Sequence, residues 1–375
     1  MSVSNSNSSI KKDFAIPDAR GQIILSAIIS EHLFTGEPVG SKVLAEKFAH
    51  TAGWSSATIR NIMSELEETG FVEQPHTSAG RIPTDRGYRF YVDNLLGILS
   101  LDNEDLRLIN KELGLNELDI SEKPDHLMER TSQLLSALSQ NVGIVISPNL
   151  ANDCLQHIQF VNLSDKRILV VLVSAPNIVH NKIIRLEETF TQEELDRTSR
   201  YLNVEFAGKT LSMIRAEILR LMHEEKALFD KLLQTAMILC SQSIESEKDN
   251  FGEIYIDGAS NILTKPDFSN FERLRELLRT IEEKSRLMQI LNECLGRDFS
   301  QKGNVQIVIG SENSNTSLQN CTLITAPYRI GNGDTIGTLS VLGPTRIEYA
   351  RMIAIVSYVS KLLEKMMLDD YSKVK

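Results

Sequence analysis

The run Ser55-Ser56-Ala57-Thr58-Ile59-Arg60-Asn61-Ile62-Met63-Ser64-Glu65-Leu66 sets Ile59, Ile62, Met63 and Leu66 at i, i+3, i+4 and i+7. That is the spacing of one apolar helical face, and it predicts a helix from about Ser55 to Thr69, closed by Gly70. Upstream, Pro17 and Asp18 open a first helix. Its apolar residues Ile23, Ile24, Ala27, Ile28 and Phe34 recur at helical spacing, and Gly36 ends it. Glu37-Pro38-Val39-Gly40 reads as a turn, with Ser41 capping a short helix through Val43, Leu44 and Phe48. Downstream, Phe71-Val72-Glu73-Gln74 reads as a strand, Pro75 to Gly80 as a loop, and Arg81-Ile82-Pro83 as the returning strand. Three short helices followed by a hairpin describe a winged helix-turn-helix.

In that arrangement the third helix turns its polar side toward a DNA groove, and here that side offers Ser55, Ser56, Thr58, Arg60 and Asn61. Arginine pairs bidentately with guanine and asparagine with adenine, while serine and threonine reach bases or phosphates. The loop His76-Thr77-Ser78-Ala79-Gly80-Arg81 combines small polar residues, a glycine and a cation, a composition suited to lying along phosphates. Ser41, Lys42 and Arg89 complete the candidate phosphate contacts. The same pattern also serves a small helical bundle, and charge argues on that side: residues 1–95 hold nine Lys/Arg against eleven Asp/Glu. The positive charge is local, however. His76 to Tyr91 carries Arg81, Arg86 and Arg89 against Asp85 alone.

The whole chain has 375 residues, room for two or three domains, and a formal net charge of −10. An acidic body of this kind excludes broad non-specific attraction to nucleic acid, so any DNA surface has to be a patch. Met1 to Ser9 is Ser/Asn-rich with no apolar core, which predicts a disordered leader over 1–15 and no signal peptide. The apolar runs are too short to span a membrane. Cys154, Cys240, Cys294 and Cys321 are widely spaced and read as reduced thiols in a cytoplasmic protein, with no metal site.

Beyond residue 84 the pattern is helical, with Tyr88, Tyr91, Val92, Leu95 and Leu99 on one face leading into a second domain. A helix over 125–140 precedes the strand Gly143–Ser147, and three closely spaced strands, His157–Asn162, Ile168–Ser174 and Val179–Leu186, read as an antiparallel meander. Residues 191–243 read as mostly helical, with a stripe of Leu211, Ile214, Ile218 and Leu221. After a strand at 251–257, one long helix carries Phe271, Leu274, Leu278, Ile281, Met288, Leu291 and Leu295 on a face. Strands at 305–309, 321–328 and 336–342 follow, the last two joined at an Asn332-Gly333 turn, and a helix over 347–368 closes the chain. The order describes an α+β domain interrupted by an insertion.

Three stretches carry a resemblance. Thr35 to Ser41 (TGEPVGS), Ser56 to Glu67 (SATIRNIMSELE) and Gln74 to Asp93 (QPHTSAGRIPTDRGYRFYVD) together resemble HrcA, the bacterial heat-inducible transcription repressor family. The resemblance implies a winged-helix DNA-binding domain over 16–95 and a GAF-like domain over 96–150 and 248–375, with a dimerisation domain inserted at 151–247. It also implies a homodimer on an inverted-repeat, CIRCE-type operator in double-stranded DNA, repression of chaperone operons of the groE/dnaK class, and support from a GroEL-type chaperonin.

GAF-type domains often take small molecules, so a ligand-sensing repressor is the alternative. Enzyme readings find little purchase. Gly331-Asn332-Gly333-Asp334 lacks the Lys-Ser/Thr of a phosphate loop, and His223-Glu224-Glu225-Lys226 is no zinc motif because Ala227 stands where the second histidine belongs. No catalytic residue, cofactor or metal ligand is expected.

Overall fold

The computed structural model describes residues 16–77, 79–97, 99–113, 124–147, 154–163, 165–174, 178–186, 188–210, 253–295, 301–302, 304–330 and 335–372, with isolated positions between 213 and 239. The chain divides into two compact units. One comprises Met1–Ser100, Val308–Thr322 and Gly343–Arg351; the other comprises Leu101–Ile307, Leu323–Leu342 and Met352–Lys375.

In the first unit, α1 (Ala19–Thr35) starts at Asp18, whose carboxylate accepts the Gly21 N–H at 2.7 Å. It stops at Gly36, whose φ of 76° is the left-handed geometry of a helix end. α2 (Ser41–Phe48) and α3 (Ser56–Glu68) follow. Ile24, Leu25, Ile28, Leu44, Ile59, Met63 and Leu66 are buried, so the predicted stripe of the third helix is a core face. On α1 the sequence reading needs correction: Ile23 is half exposed and Phe34 is 89% exposed, while Leu25 and Ile29 take the inner positions. β1 (Val72–Glu73) and β2 (Ile82–Pro83) pair antiparallel, Val72 opposite Pro83.

α4 (Asp85–Phe90) is capped by Thr84 and widens into a π turn over Tyr91–Leu95. The helix expected to run on through Leu99 ends there. Leu96 is extended, and Asp102 caps a separate helix in the second unit by accepting the Asp105 N–H at 2.7 Å.

The second unit has α5 (Asn103–Glu112), α6 (Pro124–Ser139) and β3 (Val142–Ile146). Then come β4 (Leu155–Leu163), β5 (Arg167–Ser174), β6 (Ile178–Arg185) and α7 (Gln192–Phe206). β4, β5 and β6 form their own antiparallel sheet in that order, the meander read from the sequence. α7 covers the sheet and satisfies the free edge of β4. Asn203 bonds both backbone groups of Ile158, and Ser199 Oγ accepts the Phe160 N–H at 3.2 Å. Phe160, Val170, Leu172, Leu195, Leu202 and Phe206 make a core that belongs to this block alone.

The chain returns through β7 (Ile254–Asp257), α8 (Phe271–Glu282), α9 (Lys284–Leu295), β8 (Gln301–Lys302) and β9 (Val305–Ile309), and ends in β10 (Cys321–Ile330), β11 (Thr335–Pro344) and α10 (Tyr349–Ser372). A six-stranded sheet has the order β7-β3-β11-β10-β9-β8. β3, from before the meander, therefore lies between two strands from after it, as an interrupted α+β pattern requires. The one long helix expected over 271–295 is two, broken at Glu283, where ψ is 78°. The break resets the phase: Leu277 and Ile281 face inward on α8, Leu287, Met288 and Leu291 on α9, and Phe271 is 76% exposed. Tyr328 is buried on β10 and donates to the Ile146 carbonyl at 2.9 Å; a Cβ on Gly337 would lie 2.2 Å from its ring. Burial pushes the Cys321 thiol up to about 12, so it stays protonated at neutral pH.

The 331–334 turn, the His223–Lys226 cluster and most of the Leu211–Leu221 stripe lie outside the described residues. Among the described residues no helix is long and apolar enough to cross a membrane.

Candidate nucleic-acid interface

The start of α2, the first half of α3 and the hairpin enclose a cleft of about 450 Å³, lined by Val39, Gly40, Ser41, Lys42, Arg60, Met63, Gln74, Thr77, Ala79, Gly80 and Arg81. The lining holds three cations and no carboxylate. Its geometry depends on a close backbone approach. Val39 and Arg81 exchange N–H···O bonds of 2.9 Å, and a Cβ on the intervening Gly80 would stand 2.4 Å from the Val39 carbonyl. Only glycine fits there. Gln74 shapes the loop tip by donating to the Thr77 and Ala79 carbonyls, both at 3.0 Å.

The sequence-predicted residues divide by what they touch. Ser41 does not cap α2; the N-cap is Gly40, which has no side chain to offer. The Ser41 hydroxyl instead meets Ser56 Oγ at 3.0 Å, which joins the starts of α2 and α3. With no side-chain cap, the first amides of α2 are open to an anion at the cleft wall, and Lys42 stands exposed beside them. Arg60 and Asn61 are exposed on the second turn of α3, and no carboxylate pairs with Arg60 among the described residues. His76 and Thr77 are exposed at the hairpin tip; Ser78 lies outside the described residues.

Ser55 caps α3. Its hydroxyl accepts the Thr58 N–H at 3.1 Å and lies 3.0 Å from Thr58 Oγ1. Replacing a cap of this kind by alanine costs about 1 kcal/mol, whereas glycine costs a few tenths. Ser55→Ala is therefore expected to lower the stability of this block by that amount and Ser55→Gly to leave it nearly unchanged. Thermal unfolding of the two variants checks this. Equal losses would mean that the Ser55 hydroxyl does not hold the helix start.

Two arginines are engaged elsewhere. Arg81 reaches Glu67 Oε2, Nε at 3.0 Å and Nη2 at 2.7 Å, with its side chain only 16% exposed. Arg89, read from the sequence as a phosphate contact, is turned away from that role. Its fork holds Glu312, with Nε to Oε1 at 2.7 Å, and Nη1 lies 3.4 Å from Asp93. A guanidinium filled by a carboxylate has few donors left for phosphate. Sequence reasoning missed both acidic partners and the role of Gln74, and it read Gly80 as part of a loop suited to phosphates where the structure uses it for the close approach to Val39. The single tryptophan, Trp54, packs on Phe48 with the rings tilted at 43° and their centroids 5.5 Å apart, beside the turn before α3.

A family model described as the HrcA protein C terminal domain matches residues 125–353. The chain is 40% identical over 348 residues to a heat-inducible transcription repressor HrcA of Geobacter sulfurreducens, covering 93% of this chain and 97% of that one. It is 38% identical over 350 residues to the protein of the same name from Syntrophobacter fumaroxidans, with the same coverage. A crystal structure of a hypothetical protein at 2.2 Å resolution superposes with a TM-score of 0.59 at 23% identity, covering 95% of this chain and all of that one, a likeness of fold. This chain belongs to the HrcA family.

Proposed function

We propose that the chain acts as a homodimeric repressor of transcription. Each protomer uses residues 16–95 as a winged helix-turn-helix on one half of an inverted-repeat operator in double-stranded DNA. The observation that carries this reading is the cleft between α2, α3 and the hairpin, with Lys42, Arg60 and Arg81 on its wall and no carboxylate. On a chain of net charge −10, such a local patch is what phosphate binding needs. In this reading α3 enters the major groove, and Thr58, Arg60 and Asn61 meet base edges. The open amides of α2, Lys42, the Ser41–Ser56 pair and the hairpin residues His76, Thr77 and Ser78 hold phosphates and fix the register. Arg89 has no part in the contact set, Ser55 supports it as a cap, and Arg81 contributes only what Glu67 leaves of its charge.

The pairing of Arg81 with Glu67 carries a test of its own. Glu67→Gln is expected to release the guanidinium and steepen the fall of log affinity with log salt by up to about one unit per DNA-binding block. Arg81→Ala is expected to change that slope little. A full-unit flattening in the alanine variant would mean that Arg81 leaves Glu67 when DNA arrives.

The second half of the proposal is the dimer. We assign residues 96–150 and 248–375 to a GAF-like domain and 151–247 to an inserted dimerisation domain. β5 is apolar on both faces: Ile168, Val170 and Leu172 are buried in the block's core, while Leu169, Val171 and Val173 are half-buried on the other side. Ile183, opposite Leu169 in register, is 57% exposed on β6. A strand apolar on both faces is suited to cover on both faces. A second copy of the block supplies that cover, and a two-fold protein matches a two-fold operator.

The relatives' name, heat-inducible transcription repressor, supports repression that heat relieves; a CIRCE-type operator before chaperone operons, with activity supported by a GroEL-type chaperonin, is the form of it that we propose. The physical requirement is modest: a loss of about 1.4 kcal/mol in the active state changes the active fraction tenfold. Binding to duplexes with the inverted repeat intact or with scrambled half-sites, across salt concentrations, tests the whole reading. Equal affinity for the two would overturn it.

A further inference from the structure

Gln74 lines the same cleft as Lys42 and Arg60, and its side chain is half-buried there. The amide nitrogen donates to two carbonyls of its own hairpin, Thr77 and Ala79, both at 3.0 Å. A glutamine amide has two hydrogens, so both are engaged. Two carbonyl partners also decide which end of the amide is the nitrogen, since an oxygen in that place would face two acceptors. What remains is Oε1, an acceptor with two lone pairs. No described residue donates to it.

The oxygen is held in place. The Ala79 N–H donates to the His76 carbonyl at 2.8 Å and closes the hairpin tip, while the Val39–Arg81 exchange fixes the hairpin base against the start of α2. All of these residues belong to one compact unit. A group fixed beforehand gives up little freedom when a ligand arrives. The rest of the lining has a different character. Lys42, Arg60 and Arg81 only donate, and the hydroxyls of Ser41 and Thr77 can turn to donate or accept. Among the described lining residues, Gln74 Oε1 is the one side-chain oxygen that can only accept.

A phosphate oxygen has no hydrogen to give such a group. The donors that DNA offers are exocyclic amino groups: adenine N6 and cytosine N4 in the major groove, guanine N2 in the minor groove. A glutamine free at both ends reads adenine by giving one hydrogen bond and taking another. With both hydrogens engaged in the hairpin, that mode is closed to Gln74. We propose that Gln74 is a specificity-determining residue, whose Oε1 accepts a hydrogen bond from one base amino group in each half-site. The inference rests on the winged-helix operator reading above, and it extends base recognition from α3 to the hairpin.

The test uses the full chain and a set of CIRCE-type repeats in which one base lacks only its amino group. Hypoxanthine replaces guanine, purine replaces adenine, and 2-pyrimidinone replaces cytosine, one position at a time. The wild-type chain is expected to lose about three- to tenfold in affinity at one position that depends on Gln74. Gln74→Lys keeps donors for the Thr77 and Ala79 carbonyls and has no acceptor. It is expected to bind scrambled duplex at least as well as the wild type and to show no penalty at that position. Gln74→Met has neither donor nor acceptor, and it is expected to bind every duplex more weakly and to lose the same penalty. Asn61→Ala is expected to keep the penalty, which separates the contact from base reading by α3. Comparing variants on one duplex cancels any effect of the altered base on the duplex itself. Circular dichroism shows which variants fold, and either folded Gln74 variant decides the matter. Wild-type penalties at every position in a folded lysine or methionine variant would overturn the proposal, because Gln74 would then only brace the hairpin. A wild-type chain that binds the repeat no better than scrambled duplex would sink the operator reading and this inference together. A wild type that prefers the repeat but has no amino-dependent position tied to Gln74 would sink this inference alone.

Discussion

Excision of residues 148–252, with Ser147 joined to Glu253 through an Asn-Gly turn, is expected to give a monomer that binds a half-site normally and the inverted repeat about 10²–10⁴-fold more weakly. The cut is set by the sheet. Ile146 lies opposite Ile254 in an antiparallel pair, the Ser147 N–H donates to the Glu253 carbonyl at 2.8 Å, and the Glu253 N–H donates to Ser147 Oγ at 2.7 Å. The block thus leaves and re-enters at neighbouring strand ends, where a two-residue turn closes the gap. Its own core, from Leu155 to Leu239, goes with it, and β3 keeps both of its partners, β7 and β11. Joining two half-sites through one dimer makes the second contact intramolecular, and that gain is what the excision removes. Sedimentation and titration on the two duplexes check the result, after circular dichroism has shown a folded remainder. A folded variant that still sediments as a dimer would move the interface elsewhere, with the closing helix α10 the next place to look.

What the sequence disclosed follows from the range of the interactions involved. The α3 stripe, the turn glycines and the meander are local, since each is set by residues within one or two turns or strands. The exposure of Arg60 and Asn61 is legible for the same reason: they lie opposite a buried face that the spacing defines. The acidic partners of Arg81 and Arg89 were hidden because a cation's availability depends on its neighbours in space. Glu67 and Glu312 stand 14 and 223 residues away, and no pattern in a single sequence links them. The break at Glu283 was hidden because leucines continue on both sides of it, so an apolar count sees one helix where the backbone makes two. Ser55 and Ser41 show the same limit at short range. Either serine can cap a helix or face a ligand, and only the backbone geometry decides.

Arg60→Ala is expected to cost about 1–3 kcal/mol per half-site, and to relax base preference at one position while leaving stability unchanged. Of the cations lining the cleft, Arg60 is exposed and has no carboxylate partner among the described residues, whereas Arg81 is held by Glu67. It leaves α3 between the buried Ile59 and the exposed Asn61, so its side chain costs nothing to the core when removed. On a turn that the proposed docking sets in the groove, a planar fork of this kind suits guanine O6 and N7, and that pairing depends on geometry more than on charge. Arg60→Lys is therefore expected to recover affinity for random duplex but not the lost base preference. Affinities measured on a panel of single-base operator variants separate the two effects. A uniform loss across the panel, recovered in full by lysine, would assign Arg60 to a phosphate and leave Asn61 as the principal base reader of the helix.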